Sequence, residues 1–381
     1  MLRKFRFWAI LSAVCILLAF VMLFANFWNL IKYELSKKSE LSLSLSLVNP
    51  GIGILAADPE NKLILKAEVR DSSGMPVQYA RILLTSDNDF GSLYPEDVRT
   101  NTFGEAIVTY SPPEYDSKNF SDGYAEAIIR ASIDDTDISE AVKVKITRTP
   151  VVMIHGYQSN GDIFENLMGY LNSKGYECIP FNYDSIKGIA HGSGELKDFL
   201  QQQKLVYLSK GIQVGRFDLI AHSMGGLVAR YYTCSREYIK NHDVKKIIFI
   251  SVPHKGSPIA SLGAEYFEGQ GILDLIPDNP LFTHILPSMI NKGLNNTIQT
   301  GNIIAQYDEV VGITNASLDE WGIKTELFNL GKSNITVDDI LNGTLVQAPI
   351  HKGILSNKKV FEKILFMLEN ELPYPKLIRG S

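Results

Sequence analysis

Residues 218–232 read DLIAHSMGGLVARYY, an apolar run that ends in a serine followed by a methionine and two glycines. Ser223 lies between a segment with the character of a buried strand, RFDLIAH, and one in which Met224, Leu227, Val228 and Tyr231 fall on one helical face. A serine on a sharp strand-to-helix turn stands clear of the backbone with its hydroxyl placed for nucleophilic attack. Strand and helix approach closely there, so small residues must flank the turn, and Ala221, Gly225 and Gly226 meet that need. The backbone N–H of Met224 is placed to help hold an oxyanion. A surface loop carrying a chance serine is the alternative, and the strand before and amphipathic helix after argue against it. A hydroxyl is a weak nucleophile alone. It needs a base, as a rule an imidazole oriented by a carboxylate.

The elements that must position these groups begin at Thr149–Pro150, where the rhythm of the chain changes. VVMIHG is a near-continuous apolar run, the pattern of a strand buried on both faces of a parallel sheet. DIFENLMGYLNSKG then spaces Ile163, Leu167, Tyr170 and Leu171 on a helix face, with Gly175 as its stop. YECIPFNY, RFDLIAH, KKIIFIS, GNIIAQY and KTELFNL predict further strands, and residues 194–210 a further helix. This alternation predicts an α/β domain over 149–375 with a mostly parallel, doubly wound sheet, and a short tail at 376–381. Within it, residues 256–300 are apolar and broken by Pro277, Pro280 and Pro287. They are expected to be either packing helices or a lid over an acyl-binding groove.

VMIHGY, LIAHSMGGLVARYY and SVPHKGSP, in that order, resemble the α/β-hydrolase lipases and esterases, with Ala221 in place of the commoner first glycine. The resemblance covers about residues 149–371. It implies that Ser223 is the nucleophile and that the backbone of Tyr157, beside Met224, supplies the second oxyanion donor. It also implies the chain order serine, acid, histidine, so the base is sought among His242, His254, His284 and His351. His351, before a terminal helix, takes the place of the family's catalytic histidine. His242 sits at the wrong end of a strand, His254 matches a structural histidine, and His284 lies in the apolar 256–300 segment. His155 and His222 precede the serine and are expected to be structural, the turn pointing His222 elsewhere. Asp308, after GNIIAQY, matches the acid; Glu309 is its main rival, and Asp319, Asp338 and Asp339 are further candidates. The stretch SNITVDDILNGTLVQAP before His351 is longer than an ordinary loop and is expected to be an insertion. The implied activity is hydrolysis of carboxylic esters through an acyl-enzyme, without metal or organic cofactor. A transacylase would share every one of these residues.

Residues 36–148 have a different pattern. Leu63, Leu65, Ala67 and Val69 alternate with polar neighbours, as do Ala106, Val108 and Tyr110, then Val142, Val144 and Ile146. Short strands separated by turn signals predict a β-sandwich. KAEVRDSSGMPVQYARILLTS…GSL…TNTFGEAIVTY resembles bacterial Ig-like domains of the invasin and intimin kind, over roughly residues 40–147. That resemblance implies a spacer or a docking module for a protein partner. A tethered scaffold with an inactive hydrolase domain is the alternative reading of the whole chain.

Residues 7–31, FWAILSAVCILLAFVMLFANFWNLI, are 25 residues without a charge, with Trp8 and Trp28 near the ends. This is long enough for a membrane-spanning helix and longer than the apolar core of a cleaved signal. Residues 1–35 are therefore expected to be a single-pass signal anchor with the body exported; a cytoplasmic body is the alternative. The 381-residue chain has a net charge of −5 and no basic patch suited to nucleic acid. A membrane-tethered hydrolase makes a lipid or lipid-linked ester the expected substrate. Of three cysteines, Cys15 lies in the apolar run, and Cys178 and Cys234 are expected to be inert thiols, although one bridge between them is conceivable.

Overall fold

The computed structural model describes residues 16–17, 20–21, 24, 27, 40–87, 90–116, 120, 123–336, 339 and 348–378. Most of the expected membrane anchor lies outside the described residues. Ile16, Leu17, Phe20, Val21, Phe24 and Phe27 are helical and their apolar side chains are exposed. Among the described residues no helix is long and apolar enough to cross a membrane.

The chain forms two compact units. The smaller is built largely of strands from two sheets. One orders the strands Leu41–Leu47, Leu63–Asp71, Glu105–Ser111 and Ser92–Tyr94 side by side. In the other, Ser139–Thr147, Tyr124–Ile133, Arg81–Ser86 and Asp97–Arg99 are neighbours. The period-two sequence pattern is the physical cause. Leu63, Leu65, Ala67 and Val69 are buried while Ile64 is exposed, because successive side chains leave a strand on opposite faces.

The larger unit takes in Ile54–Asn61 and Glu114–Ala125 as well as Ile146 onward, which differs from a single cut at residue 148. Charge pairing explains the two additions. Asp58 accepts from Arg216 Nε and Nη2 at 2.7 and 2.5 Å, and Lys245 pairs with Glu114. The central sheet has six strands: β1 Val151–Ile154, β2 Cys178–Phe181, β3 Phe217–His222, β4 Val244–Ile250, β5 Gln299–Ala305 and β6 Thr325–Phe328. Their spatial order is β2-β1-β3-β4-β5-β6 and every pairing is parallel. Seven helices matter here: α1 Glu165–Ser173, α2 Ile189–Ser209, α3 Met224–Thr233, α4 Pro258–Gly263, α5 Gln270–Asp274, α6 Pro349–Gly353 and α7 Lys358–Glu369.

The continuous apolar runs are read out on two faces. Val152, Ile154, Leu219 and Ala221 join one core with Leu196 and Leu200 of α2 and Leu227 of α3. Val151, Met153 and Ile220 join the other with Leu167 and Leu171 of α1 and Val360, Ile364 and Met367 of α7. Each such side chain contributes about 1.5–3 kcal/mol by leaving water. Asn357 caps α7 by accepting from the N–H groups of Lys359 and Val360. Because β1 sits between β2 and β3, the connection leaving β1 runs towards β2 and the one leaving β3 runs towards β4, in opposite directions. A crevice therefore opens at the carboxyl ends of β1 and β3, the place where α/β sheets bind ligands.

Candidate active site

Ser223 occupies that crevice. It follows β3, caps α3 and has φ 52° and ψ −127°. A non-glycine residue held in such a conformation costs about 1–3 kcal/mol and persists only where its surroundings enforce it. Here the Ser223 N–H donates to Ile250 O at 3.0 Å and its carbonyl accepts from Gly226 N at 3.0 Å. The glycines are required by space. A Cβ on Gly225 would overlap the carbonyl oxygens of Ile154 and His155, and one on Gly226 the side chain of Val252. A Cβ on Gly156 would come to 2.9 Å from that of Ser223. The tightness expected from the sequence around the serine is therefore met on three sides.

His351 lies in α6 and is 2% exposed. Its Nδ1 is 2.9 Å from both carboxylate oxygens of Asp308, which is wholly buried after β5. Asp308 also accepts from the N–H groups of Val310 and Val311 at 3.0 and 2.9 Å. Burial pushes this carboxyl up, yet the imidazole and the donated hydrogen bonds outweigh it and hold Asp308 below the ordinary carboxylate range. An ionised Asp308 can only accept, so Nδ1 carries the proton and Nε2 is left with a lone pair. Ser223 and His351 line one small cavity with Gly156, Tyr157 and Val310. No hydrogen bond joins the Ser223 hydroxyl to His351 in this structure, and such bonds commonly tighten only with substrate bound.

Glu309 meets backbone N–H groups and not the imidazole. Its carboxylate accepts from Ile350 N at 3.1 Å and His351 N at 3.0 Å, gripping the first turn of α6 and with it the imidazole. Nothing in the spacing Asp308-Glu309 distinguishes an orienting carboxylate from one that holds a backbone, so this role was not legible in the sequence.

His222 corrects an expectation. It is structural, but the turn directs it into the cavity wall, with its ring 4.7 Å from that of His351. Its Nε2–H donates to His351 O at 3.0 Å, and burial drives its pKa down to about 3, so it stays neutral. His155 is likewise neutral through burial. Its Nε2 accepts from Tyr183 N at 3.3 Å, so Nδ1–H donates to Gly156 O at 2.8 Å. That bond fixes the peptide whose N–H belongs to Tyr157. Met224 opens α3, where N–H groups have no partner within the helix.

The remaining candidates are accounted for elsewhere. His242 precedes β4 and meets Glu60 at 3.0 Å. His254 is buried against Arg230, and His284 contacts its neighbour Thr283 at the surface. Asp319 opens a short 3-10 helix and Asp339 accepts from Thr336, while Asp338 and most of the insertion before His351 lie outside the described residues. Cys178 and Cys234 are both free, and burial pushes each thiol up to about 12. Residues 256–300 fold as short helical pieces. Ala260 and Leu275 wall the cavity, while Ile272, Leu281 and Leu286 enter the core and Leu262 and Tyr266 are exposed.

Residues 196–267, which carry β3, the serine turn and β4, match the PGAP1-like alpha/beta domain. The chain is 34% identical over 104 residues to triacylglycerol lipase 2 of Saccharomyces cerevisiae, a match covering 27% of this chain and 31% of that one. It is 29% identical over 121 residues to a triacylglycerol lipase of Pseudarthrobacter phenanthrenivorans, covering 30% and 36%. Aspergillus fumigatus lipase B aligns structurally with a TM-score of 0.46 at 15% identity, over 59% of this chain and 54% of that one. The chain thus spans about a third of the length of the curated relatives it matches.

Proposed function

We propose that this chain is a serine hydrolase that cleaves the acyl esters of lipids, with Ser223 as nucleophile, His351 as base and Asp308 as the orienting acid. The observation that carries the reading is the cavity at the carboxyl ends of β1 and β3, shared by a strained serine and an imidazole whose far nitrogen is bonded to a buried carboxylate. The lipase relatives, similar over a third of their length, support an ester as substrate.

In the first step Ser223 Oγ attacks the ester carbonyl while His351 Nε2 takes its proton. The Asp308 carboxylate stabilises the imidazolium so formed. The N–H groups of Met224 and Tyr157 receive the oxyanion, and loss of one such donor typically costs 10²–10³ in rate. The imidazolium then protonates the leaving alcohol. Water, deprotonated by the same imidazole, releases the acid from Ser223. The neutral state of His222 and His155 matters in this scheme, because neither competes with His351 for the proton.

The N-terminal segment is read as a membrane anchor holding the body on the exported side, which brings the cavity to lipid. The smaller unit is read as a spacer of Ig-like type. A fluorophosphonate probe tests the catalytic reading: labelling of the full chain should vanish in Ser223→Ala, and failure of the unmodified chain to label would refute it. Protease accessibility of the body in intact spheroplasts tests the orientation, and full protection would overturn it.

A further inference from the structure

Arg230 lies on the same helix as the serine turn, two turns on, and is 2% exposed. Its Nε donates to Gly293 O at 2.8 Å and its Nη1 to His254 O at 3.0 Å, with His254 Nδ1 at 3.3 Å. These are neutral acceptors. Among the described residues no carboxylate lies within ion-pair distance of Arg230; Glu320 acts on it only from further off. A buried cation without a counter-ion costs several kcal/mol unless something else supplies the negative charge. Desolvation holds its pKa down to about 10, as such a position demands.

The guanidinium borders an open cavity of about 400 Å³ whose lining shares no residue with that of the Ser223 cavity. Two more cations, Lys255 and Lys292, line this cavity, and neither has an ion-pair partner among the described residues. Glu320 is the one carboxylate lining it. His254 adds no charge, because burial and Arg230 keep it neutral. The lining therefore carries three positive charges against one negative. The indole of Trp321 sits 5.3 Å from the guanidinium carbon and closes one side.

We propose that this second cavity is a binding site for a phosphate group, held by Arg230 from the floor and by Lys255 and Lys292 from the rim. Arginine presents planar paired donors that match phosphate oxygens, and lysine adds mobile point charge. A net excess of two positive charges suits a phosphate monoester dianion. The group is either free phosphate or the phosphomonoester headgroup of a lipid, and both are bound by the same contacts. The site stands independently of the catalytic reading, since none of its three cations belongs to the Ser223 machinery.

Trp321 supplies the readout. The full-length chain with Trp8→Phe and Trp28→Phe retains a single indole, next to Arg230. Its emission is followed while inorganic phosphate, and separately glycerol 3-phosphate, is added against chloride at matched ionic strength. A saturable change with the phosphates and none with chloride is expected. Lys255→Gln and Lys292→Gln should each weaken binding about threefold to tenfold, as expected for loss of one charge-assisted contact. Arg230→Gln should abolish it; the two lysine variants keep the test decisive if that variant does not fold. Tighter binding of glycerol 3-phosphate identifies a lipid headgroup, and tighter binding of inorganic phosphate the free ion. No saturable response, or affinity unchanged in both lysine variants, overturns the proposal.

Discussion

On the proposed catalytic reading, replacing Glu309 with alanine should slow the reaction without altering the side chain of Ser223, His351 or Asp308. The carboxylate is the acceptor for two backbone N–H groups, those of Ile350 and His351, at 3.0–3.1 Å. A hydrogen bond to a charged acceptor is worth about 1.5–3 kcal/mol, and these donors open a helix whose dipole adds to the attraction. Two such bonds come to about 3–6 kcal/mol, and solvent screening of the half-buried carboxylate brings the loss to about 2–4 kcal/mol. Other contacts remain: Asp308 on Nδ1, His222 on the carbonyl, and the buried side chain of Ile350. The imidazole then stays near its place but spends much of its time misaligned, and a displacement of about 1 Å can cost 10²-fold in rate. We expect kcat on a soluble nitrophenyl ester to fall about 10- to 100-fold with KM little changed. Glu309→Gln keeps one oxygen acceptor and should recover part of the loss. Single-turnover kinetics would separate acylation from product release, and circular dichroism would establish that the variant is folded. A folded Glu309→Ala enzyme with kcat within twofold of the parent would refute the reasoning.

Three further outcomes follow from the geometry. Ser223→Gly should abolish activity yet raise the melting midpoint by about 2–6 °C, because glycine adopts φ 52° without the 1–3 kcal/mol strain; an unchanged or lower midpoint would count against a strained serine. Gly225→Ala should reduce both folded yield and activity, since its methyl meets two backbone oxygens that cannot move without displacing β1, and thermal melts with an esterase assay would show an ordinary-looking variant if this is wrong. Asp58 is held below the ordinary carboxylate value, as Arg216 outweighs the upward push of burial. A depressed folded pKa gives stability that is present above about pH 4 and disappears as the pH falls through the folded value. Asp58→Asn should thus cost about 2–4 kcal/mol near pH 7, and the gap between parent and variant melting curves should narrow below about pH 4.

The sequence by itself determined the local elements and named the candidate reactive groups. Near-continuous apolar runs such as VVMI and LIA read as strands covered on both faces, and the alternation at Leu63–Val69 as a strand covered on one. The small residues around Ser223 announced a close approach before any coordinate did, because such a constraint is local and written in side-chain volume. What lay beyond the sequence was each partner separated by a long stretch of chain. Asp308 and Glu309 are adjacent and chemically alike, yet one faces an imidazole and the other a pair of backbone N–H groups. His222 was expected to point away and instead supports His351, 129 positions along. Residues 54–61 and 114–125 belong with the α/β unit through Asp58–Arg216 and Glu114–Lys245. The direction of a side chain and the choice of a distant partner depend on how the strands stack and where each crossover returns. Tertiary packing alone fixes these, because charge and hydrogen-bonding capacity name what a residue can bind but not which group will stand beside it.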